Sequence, residues 1–279
     1  MTSDDFEALT NALVEPVLEA GRVEMSYFGS DLGVATKADE SPVTEADHRA
    51  EEILIEALER AAPGIPIVAE ECASRGEIPR CEDELFLVDP LDGTRGFIKG
   101  RPEFTINIGY VREGQAEFGL IYAPALAELF VTLGAQEAAC VHIKPDAAGG
   151  SVRTLQPKTM ATRSLDRKPL RAVSSRYVSK ALTRRLAALE AERIDLNSSL
   201  KFCRIADGSA HIYPRFGEIS EWDTAAGAAL VKAAGGTVTD LDGNESRYGK
   251  SQCGFRNEAF IAWSTPEPPP DLLAALTKD

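Results

Sequence analysis

Basic residues are in short supply in this chain: 30 Lys and Arg stand against 44 Asp and Glu, a formal net charge of −14. That balance argues against a protein that wraps nucleic-acid polymers or docks on anionic membranes. The five cysteines (Cys72, Cys81, Cys140, Cys203, Cys253) are odd in number and never form a CxxC pair. They read as reduced thiols of a cytoplasmic protein and not as a disulfide framework. No stretch approaches the ~20 apolar residues of a membrane span, which predicts no stable membrane insertion. The start Met1-Thr2-Ser3-Asp4-Asp5 lacks the basic and apolar character of a signal peptide. Aromatics are only 7 % of residues, and the three histidines (His48, His142, His211) show no pairing suggestive of catalysis. Internal repeats are lacking, and the one biased tract is the Pro-rich Thr265–Pro270. Hydrophobic residues reach 44 % of 279, rich in small side chains, enough for a sizeable core in one large or two intimately packed units.

The chain does have carboxylates in telling places. Leu87-Val88-Asp89-Pro90-Leu91-Asp92-Gly93-Thr94 follows an apolar strand with two acids three residues apart. Pro90 fixes φ between them and Gly93 permits a tight turn. Oxygen ligands so placed suit a hard divalent cation. Upstream, the apolar run Ile65–Ala69 ends in Glu70-Glu71; downstream, Glu221-Trp222-Asp223-Thr224 opens an Ala/Gly-rich helix. Taken alone, each block has an ordinary structural reading. Asp-Pro-x-Asp-Gly is also turn chemistry, Glu70-Glu71 a solvated loop, and Asp223 a helix N-cap. Their coincidence at three element ends favours one metal cluster and a metal-dependent phosphatase.

Periodicity predicts a helix from Thr2-Ser3-Asp4 to Tyr27, with Phe6, Leu9, Leu13 and Val17 facing the core and Pro16 as a kink point. Val34–Lys37 and Ser41-Pro42-Val43 suggest a hairpin or flap with an acidic tip at Asp39-Glu40. A second helix follows, N-capped by Thr44, with Ile53, Leu54, Ala57 and Leu58 buried. Strands are expected at 65–69, 85–88, 104–111, 116–122 and 129–132. The polar stretch from Pro145 to Pro169 reads as a connector or an edge strand with loops. Beyond it, strand and helix alternate to a short last helix, Leu272–Leu276, which favours a layered α/β arrangement. The division expected is 1–155, an N-terminal α+β lobe with most metal ligands, and 156–279, a C-terminal α/β lobe with Asp223 and the substrate-binding residues, acting as one functional unit.

Glu70-Glu71, then Asp89-Pro90-Leu91-Asp92-Gly93-Thr94, then Trp222-Asp223-Thr224-Ala225-Ala226-Gly227 resemble the three signature blocks of the inositol monophosphatase superfamily, in order and spacing, over about residues 5–262. Ser198–Cys203, Tyr213-Pro214-Arg215-Phe216-Gly217, Arg95–Lys99 and Glu103-Phe104-Thr105 are similar to the bacterial 3′(2′),5′-bisphosphate nucleotidases of sulfate assimilation. Gly96 departs from that pattern, standing where an acidic residue is expected.

The resemblance implies an αβαβα sugar-phosphatase-like fold and a lithium-sensitive, Mg²⁺-dependent enzyme with two or three ions per site. It implies Glu70, Asp89, Asp92, Asp223 and the Leu91 carbonyl as ligands. The residues alone leave Glu70 and Glu71 undecided, and the family pattern points to Glu70. Thr94 and Asp47 are the implied water-activating couple, although a first-turn acid such as Asp47 commonly just complements the helix dipole. Gly93 and Thr94 would meet the scissile phosphate, with Leu91, Asp92 and Asp223 also at the substrate. Lys201 and Arg215, aided by Ser198, Ser199 and Tyr213 and with Arg176 as a further candidate, would hold a second phosphate. The implied substrate is adenosine 3′,5′-bisphosphate, cleaved to AMP, with the sulfated nucleotide and the 2′,5′ isomer as further candidates. An inositol or sugar monophosphatase and a catalytically idle metal- or nucleotide-sensing protein are the alternatives. The partner expected is therefore a small molecule, and the chain a cytoplasmic monomer or homodimer.

Overall fold

The computed structural model describes residues 3–29, 42–166 and 168–277. Two long helices come first, α1 (Ser3–Tyr27) and α2 (Pro42–Ala61). Phe6, Leu9, Leu13 and Val17 are all buried, as their spacing requires. α1 continues as one helix past Pro16. α2 starts at Pro42, so Thr44 lies inside it and not ahead of it. Proline suits a first helical position, where its missing N–H would have no intrahelical partner. The expected hairpin therefore loses Pro42-Val43 to α2, and its remainder, 34–41, lies outside the described residues. Along α2, Leu54, Ala57 and Leu58 are buried and Ile53 only partly so.

Seven strands then form one sheet in sequence order: β1 (Ile67–Ala69), β2 (Glu84–Asp92), β3 (Thr105–Arg112), β4 (Gln115–Ala123), β5 (Glu128–Gly134), β6 (Glu137–His142) and β7 (Lys158–Met160). β1 pairs with β2 in parallel, and the later neighbours are antiparallel. Short helices α3 (Glu70–Ser74) and α4 (Thr94–Phe97) follow β1 and β2. β6 was not expected, because Ala138, Ala139 and Cys140 blur its alternation. β7 is the edge strand of the polar 145–169 stretch.

The second sheet has the order β12-β14-β10-β8-β9. Its strands are β8 (Arg171–Ser174), β9 (Glu192–Asp195), β10 (Ile212–Arg215), β12 (Thr237–Thr239) and β14 (Phe260–Trp263). A two-stranded ribbon, β11 (Ile219–Ser220) with β13 (Arg256–Asn257), stands beside it. The helices of this half are α5 (Lys180–Ala188), α6 (Leu200–Ala206), α7 (Ala225–Ala233) and α8 (Pro270–Thr277).

Strand alternation sorts these elements into five layers. Phe86 and Val88 of β2 pack on α1 and α2, while Leu85 and Leu87 face α6 and α7 on the other side. In the second sheet Val173, Tyr213, Phe260 and Ala262 meet that same α6–α7 layer. Ala172, Ile212, Ile261 and Trp263 point away, onto Leu182 and Leu186 of α5 and Leu276 of α8. The order is therefore helix, sheet, helix, sheet, helix, a mixed α/β architecture. Among the described residues no helix is long and apolar enough to cross a membrane.

One detail of the middle layer places the site. Gly109 and Gly119 are opposite one another across β3 and β4. A Cβ on Gly119 would lie 2.1 Å from the Ala226 carbonyl oxygen, and one on Gly109 2.8 Å from the Ala225 Cβ. This bare patch lets the start of α7 sit directly on the sheet, and Asp223 is two residues ahead of that contact.

Candidate active site

β2 does not stop at Val88. It runs through Asp92, with a register shift against β3 between Asp89 and Asp92. The bulge accommodates Pro90, which has no N–H to donate to a ladder. Asp89 Oδ1 accepts the Leu91 N–H at 3.0 Å, and the Thr94 hydroxyl donates to the Leu91 carbonyl at 3.1 Å. Gly93 holds φ 99°, a conformation that favours glycine, and a Cβ there would be 3.2 Å from the Glu103 carbonyl.

Glu70 and Glu71 open α3 in place of a solvated loop. The buried Glu51 of α2 accepts the Glu71 and Cys72 N–H groups at 2.8 and 3.0 Å, capping α3 from outside. Glu70 then joins Asp89 and Asp223, the three offering oxygens within 4.8 Å of one another. Glu71 turns instead to His48, 3.3 Å away. Asp223 is not an N-cap: Thr224 occupies that position, and no side chain caps α7. A buried network fixes this loop. Glu221 accepts N–H bonds from Gly249 and Lys250, at 2.6 and 3.2 Å, and Asn257 donates to the Thr224 hydroxyl at 2.9 Å.

Burial dominates the electrostatics of the trio, and like charges add to it. Glu70 is pushed up to about 7 and Asp223 to about 8, and burial together with Glu70, Asp92 and Asp223 holds Asp89 well above the usual carboxylate range. Asp47 rises to about 8 through burial and the nearby Glu71, Glu70 and Glu51. Among the described residues its Oδ1 has no hydrogen-bond partner. An all-carboxylate donor set that repels itself fits a hard divalent cation, whose charge would replace the protons.

A cleft of about 520 Å³ runs from this cluster to a cationic end. It is lined by Glu70, Asp92, Gly93, Thr94, Ser198, Ser199, Lys201, Tyr213, Arg215 and Asp223. Asp47 and Asp89 are not among its lining residues, and Asp89 is reached only beneath the others. The Ser199 hydroxyl ties the two ends together. It donates at 2.8 Å toward Asp92 Oδ2 and toward the Asp223 carbonyl, and accepts from Asn107 at 3.0 Å. Lys201 is buried; its ammonium bonds the Ser198 carbonyl and lies 5.4 Å from the Tyr213 ring centre. Burial lowers it to about 8, against the opposing pull of Asp92 and Asp223. Arg215 reaches the Glu218 carbonyl at 3.3 Å, and its buried Nε has no partner among the described residues. Arg176 is paired through Nη2 with Glu103 at 2.9 Å.

Sequence reasoning missed Asn107, Glu51 and Glu221. Asn107 carried a signal, a lone amide within the apolar run Thr105–Val111. Glu51 and Glu221 carried none, because acids beside a helix or loop are ordinarily solvated.

A model of the inositol monophosphatase family matches residues 5–267. A 3′(2′),5′-bisphosphate nucleotidase CysQ from Buchnera aphidicola is 36 % identical over 247 residues, covering 87 % of this chain and 89 % of its own. The protein of that name from Salmonella typhimurium is 37 % identical over 229 residues, 81 % of this chain and 87 % of its own. The crystal structure of CysQ from Bacteroides thetaiotaomicron superposes with a TM-score of 0.78 at 31 % identity, covering 94 % of this chain and 99 % of that one. These matches run almost from end to end, and the chain belongs to the inositol monophosphatase family.

Proposed function

We propose that this protein removes the 3′-phosphate of adenosine 3′,5′-bisphosphate, releasing AMP and phosphate, and that it also accepts the sulfated nucleotide and the 2′,5′ isomer. The observation that carries this reading is the pairing of an acid trio and a cationic Lys201/Arg215 end in one cleft. A substrate with one phosphate needs only the first; a bisphosphate uses both. The relatives named as bisphosphate nucleotidases support it.

Glu70, Asp89, Asp92, Asp223 and the Leu91 carbonyl would hold Mg²⁺, two or three ions per site. Bound there, the ions would supply Lewis acidity toward the phosphate and the attacking water. The remaining work falls to the chain. Gly93 and Thr94 at the start of α4 hold the scissile phosphate, and Lys201 and Arg215 hold the second one, with Ser198, Ser199 and Tyr213 donating hydroxyls. Thr94 and Asp47 orient the water, and Asp47 accepts its proton. A carboxyl held near 8 is a poor base at neutral pH, so Asp47 acts only when cations lower it. Water attacks phosphorus, the bond to the 3′-oxygen breaks, and that oxygen takes a proton from solvent to leave as the 3′-hydroxyl, while the proton on Asp47 returns to solvent. The protein is expected to act in the cytoplasm, as a monomer or homodimer.

The test is phosphate release from adenosine 3′,5′-bisphosphate and from inositol 1-phosphate, each with Mg²⁺ and with EDTA. Metal-dependent turnover favouring the nucleotide is expected. Preference for inositol phosphate refutes the substrate, and no release from either refutes the enzyme.

A further inference from the structure

Glu103 has no part in the chemistry above, yet it is tied more firmly than a rim charge should be. Its carboxylate receives Arg176 Nη2 at 2.9 Å on Oε1 and 3.0 Å on Oε2, and Asn197 Nδ2 at 2.8 Å on Oε2. The Glu103 side chain is 17 % exposed and that of Arg176 36 %. Charge-assisted bonds this short and this shielded hold geometry, unlike a solvated surface pair. The three residues come from opposite halves of the molecule. Glu103 lies between α4 and β3, Arg176 follows β8, and Asn197 joins β9 to α6.

What they hold is the junction between the two ends of the cleft. Asn197 immediately precedes Ser198, and both line the cleft with Lys201. Ser198 keeps φ 52°, a strained conformation for serine that persists only where its surroundings impose it. On the other side, the Glu103 carbonyl crowds the position a Gly93 Cβ would take, at 3.2 Å. One residue therefore touches the turn that offers Lys201 and the turn that offers Thr94. Its negative charge also favours the charged form of Lys201. Gly96, in the place of the expected acid, packs against the same amide: a Cβ there would be 3.4 Å from Asn197 Nδ2.

We propose that Glu103 is a positioning residue for recognition of the second phosphate, fixing the Ser198–Lys201 turn, through Asn197 and Arg176, at the spacing a bisphosphate requires. This rests on the bisphosphate reading given above. A residue that merely ties two sheets together would affect all substrates alike.

The experiment compares wild type, Glu103→Gln and Glu103→Ala on adenosine 3′,5′-bisphosphate and on adenosine 3′-monophosphate, which has the same scissile ester without the second anion. For Glu103→Ala the KM for the bisphosphate should rise about ten-fold, the equivalent of one charge-assisted hydrogen bond, with kcat nearly unchanged. The kcat/KM for the monophosphate should stay at the wild-type value. Glu103→Gln, which keeps one acceptor, should fall between. If Glu103→Ala fails to fold, Asn197→Ala breaks the same link and should give the same split. Equal losses on both substrates, or no change on either, overturn the proposal. A wild type that does not prefer the bisphosphate overturns the functional reading and this inference with it. A wild-type preference that survives undiminished in Glu103→Ala overturns this inference alone.

Discussion

Replacing Asp223 with asparagine should stabilise the metal-free protein and remove most of the stability that Mg²⁺ adds. Burial, with Asp92 and Glu70 facing it, raises Asp223 from 3.8 to about 8. The folded value lies above the unfolded one, so the folded state holds the proton through that window. Stability is therefore full below about pH 4 and erodes as pH rises toward 8, by at most about 1.4 kcal/mol per pH unit. The window sets a ceiling of about 6 kcal/mol. Asp89 and Glu70 share the same protons, so about half that is a realistic figure, ~3 kcal/mol. Asparagine keeps the shape and has no charge to lose. In EDTA at pH 8, urea unfolding should show Asp223→Asn more stable by ~3 kcal/mol, a gap that closes toward pH 4. With Mg²⁺ added, the wild type should gain about 2.7 kcal/mol at a hundred times its Kd, and the variant much less. If the variant showed the wild-type pH dependence and the same gain from Mg²⁺, the acid trio would not be an ion site.

Lys201, held near 8, should bind a second phosphate well below that pH and poorly above it, so KM for a bisphosphate should climb from pH 7 to 9 while KM for a monophosphate stays flat. Glu51→Ala should cost about 1–3 kcal/mol by stripping the cap from α3, and should lower metal affinity in calorimetry because Glu70 starts that helix. Gly119→Ala should destabilise by about 3 kcal/mol or more, since the new methyl meets the Ala226 carbonyl; thermal melting reads this directly. Glu24 is fully buried near Asp47, and neither of its oxygens has a partner among the described residues. Burial raises it well above the usual range, so Glu24→Leu should stabilise the protein, by an increment that grows as pH rises past about 4.3. An unchanged or shrinking increment in urea titrations would refute that.

Much of the layered arrangement could be read in advance because it rests on periodicity. Phe6, Leu9, Leu13 and Val17 on α1 depend only on which face each residue presents. The misreadings fell where periodicity is weak. β6 is built from small residues, α2 starts at a proline, and the carboxylate turn proved to be a bulged strand. The site was partly visible for a different reason. Asp89, Asp92 and Thr94 are neighbours in sequence, so one short run carries them together, and Glu70 and Asp223 stand at element ends that a layered fold can bring together.

By itself, the sequence determined the long helices, the apolar strands and the donor chemistry, because these are local properties of residue type and spacing. It also determined that phosphate-binding cations are few. Only the tertiary structure decided that Glu70 and not Glu71 joins Asp89 and Asp223, and that Arg176 is held by Glu103. It decided, too, that Ser199 links the two ends of the cleft. Those outcomes depend on which helix caps α3 and how closely α7 sits on two opposed glycines. The first is set by contacts between residues 20 and 21 positions apart and the second by contacts more than 100 apart, and a linear pattern holds no record of either.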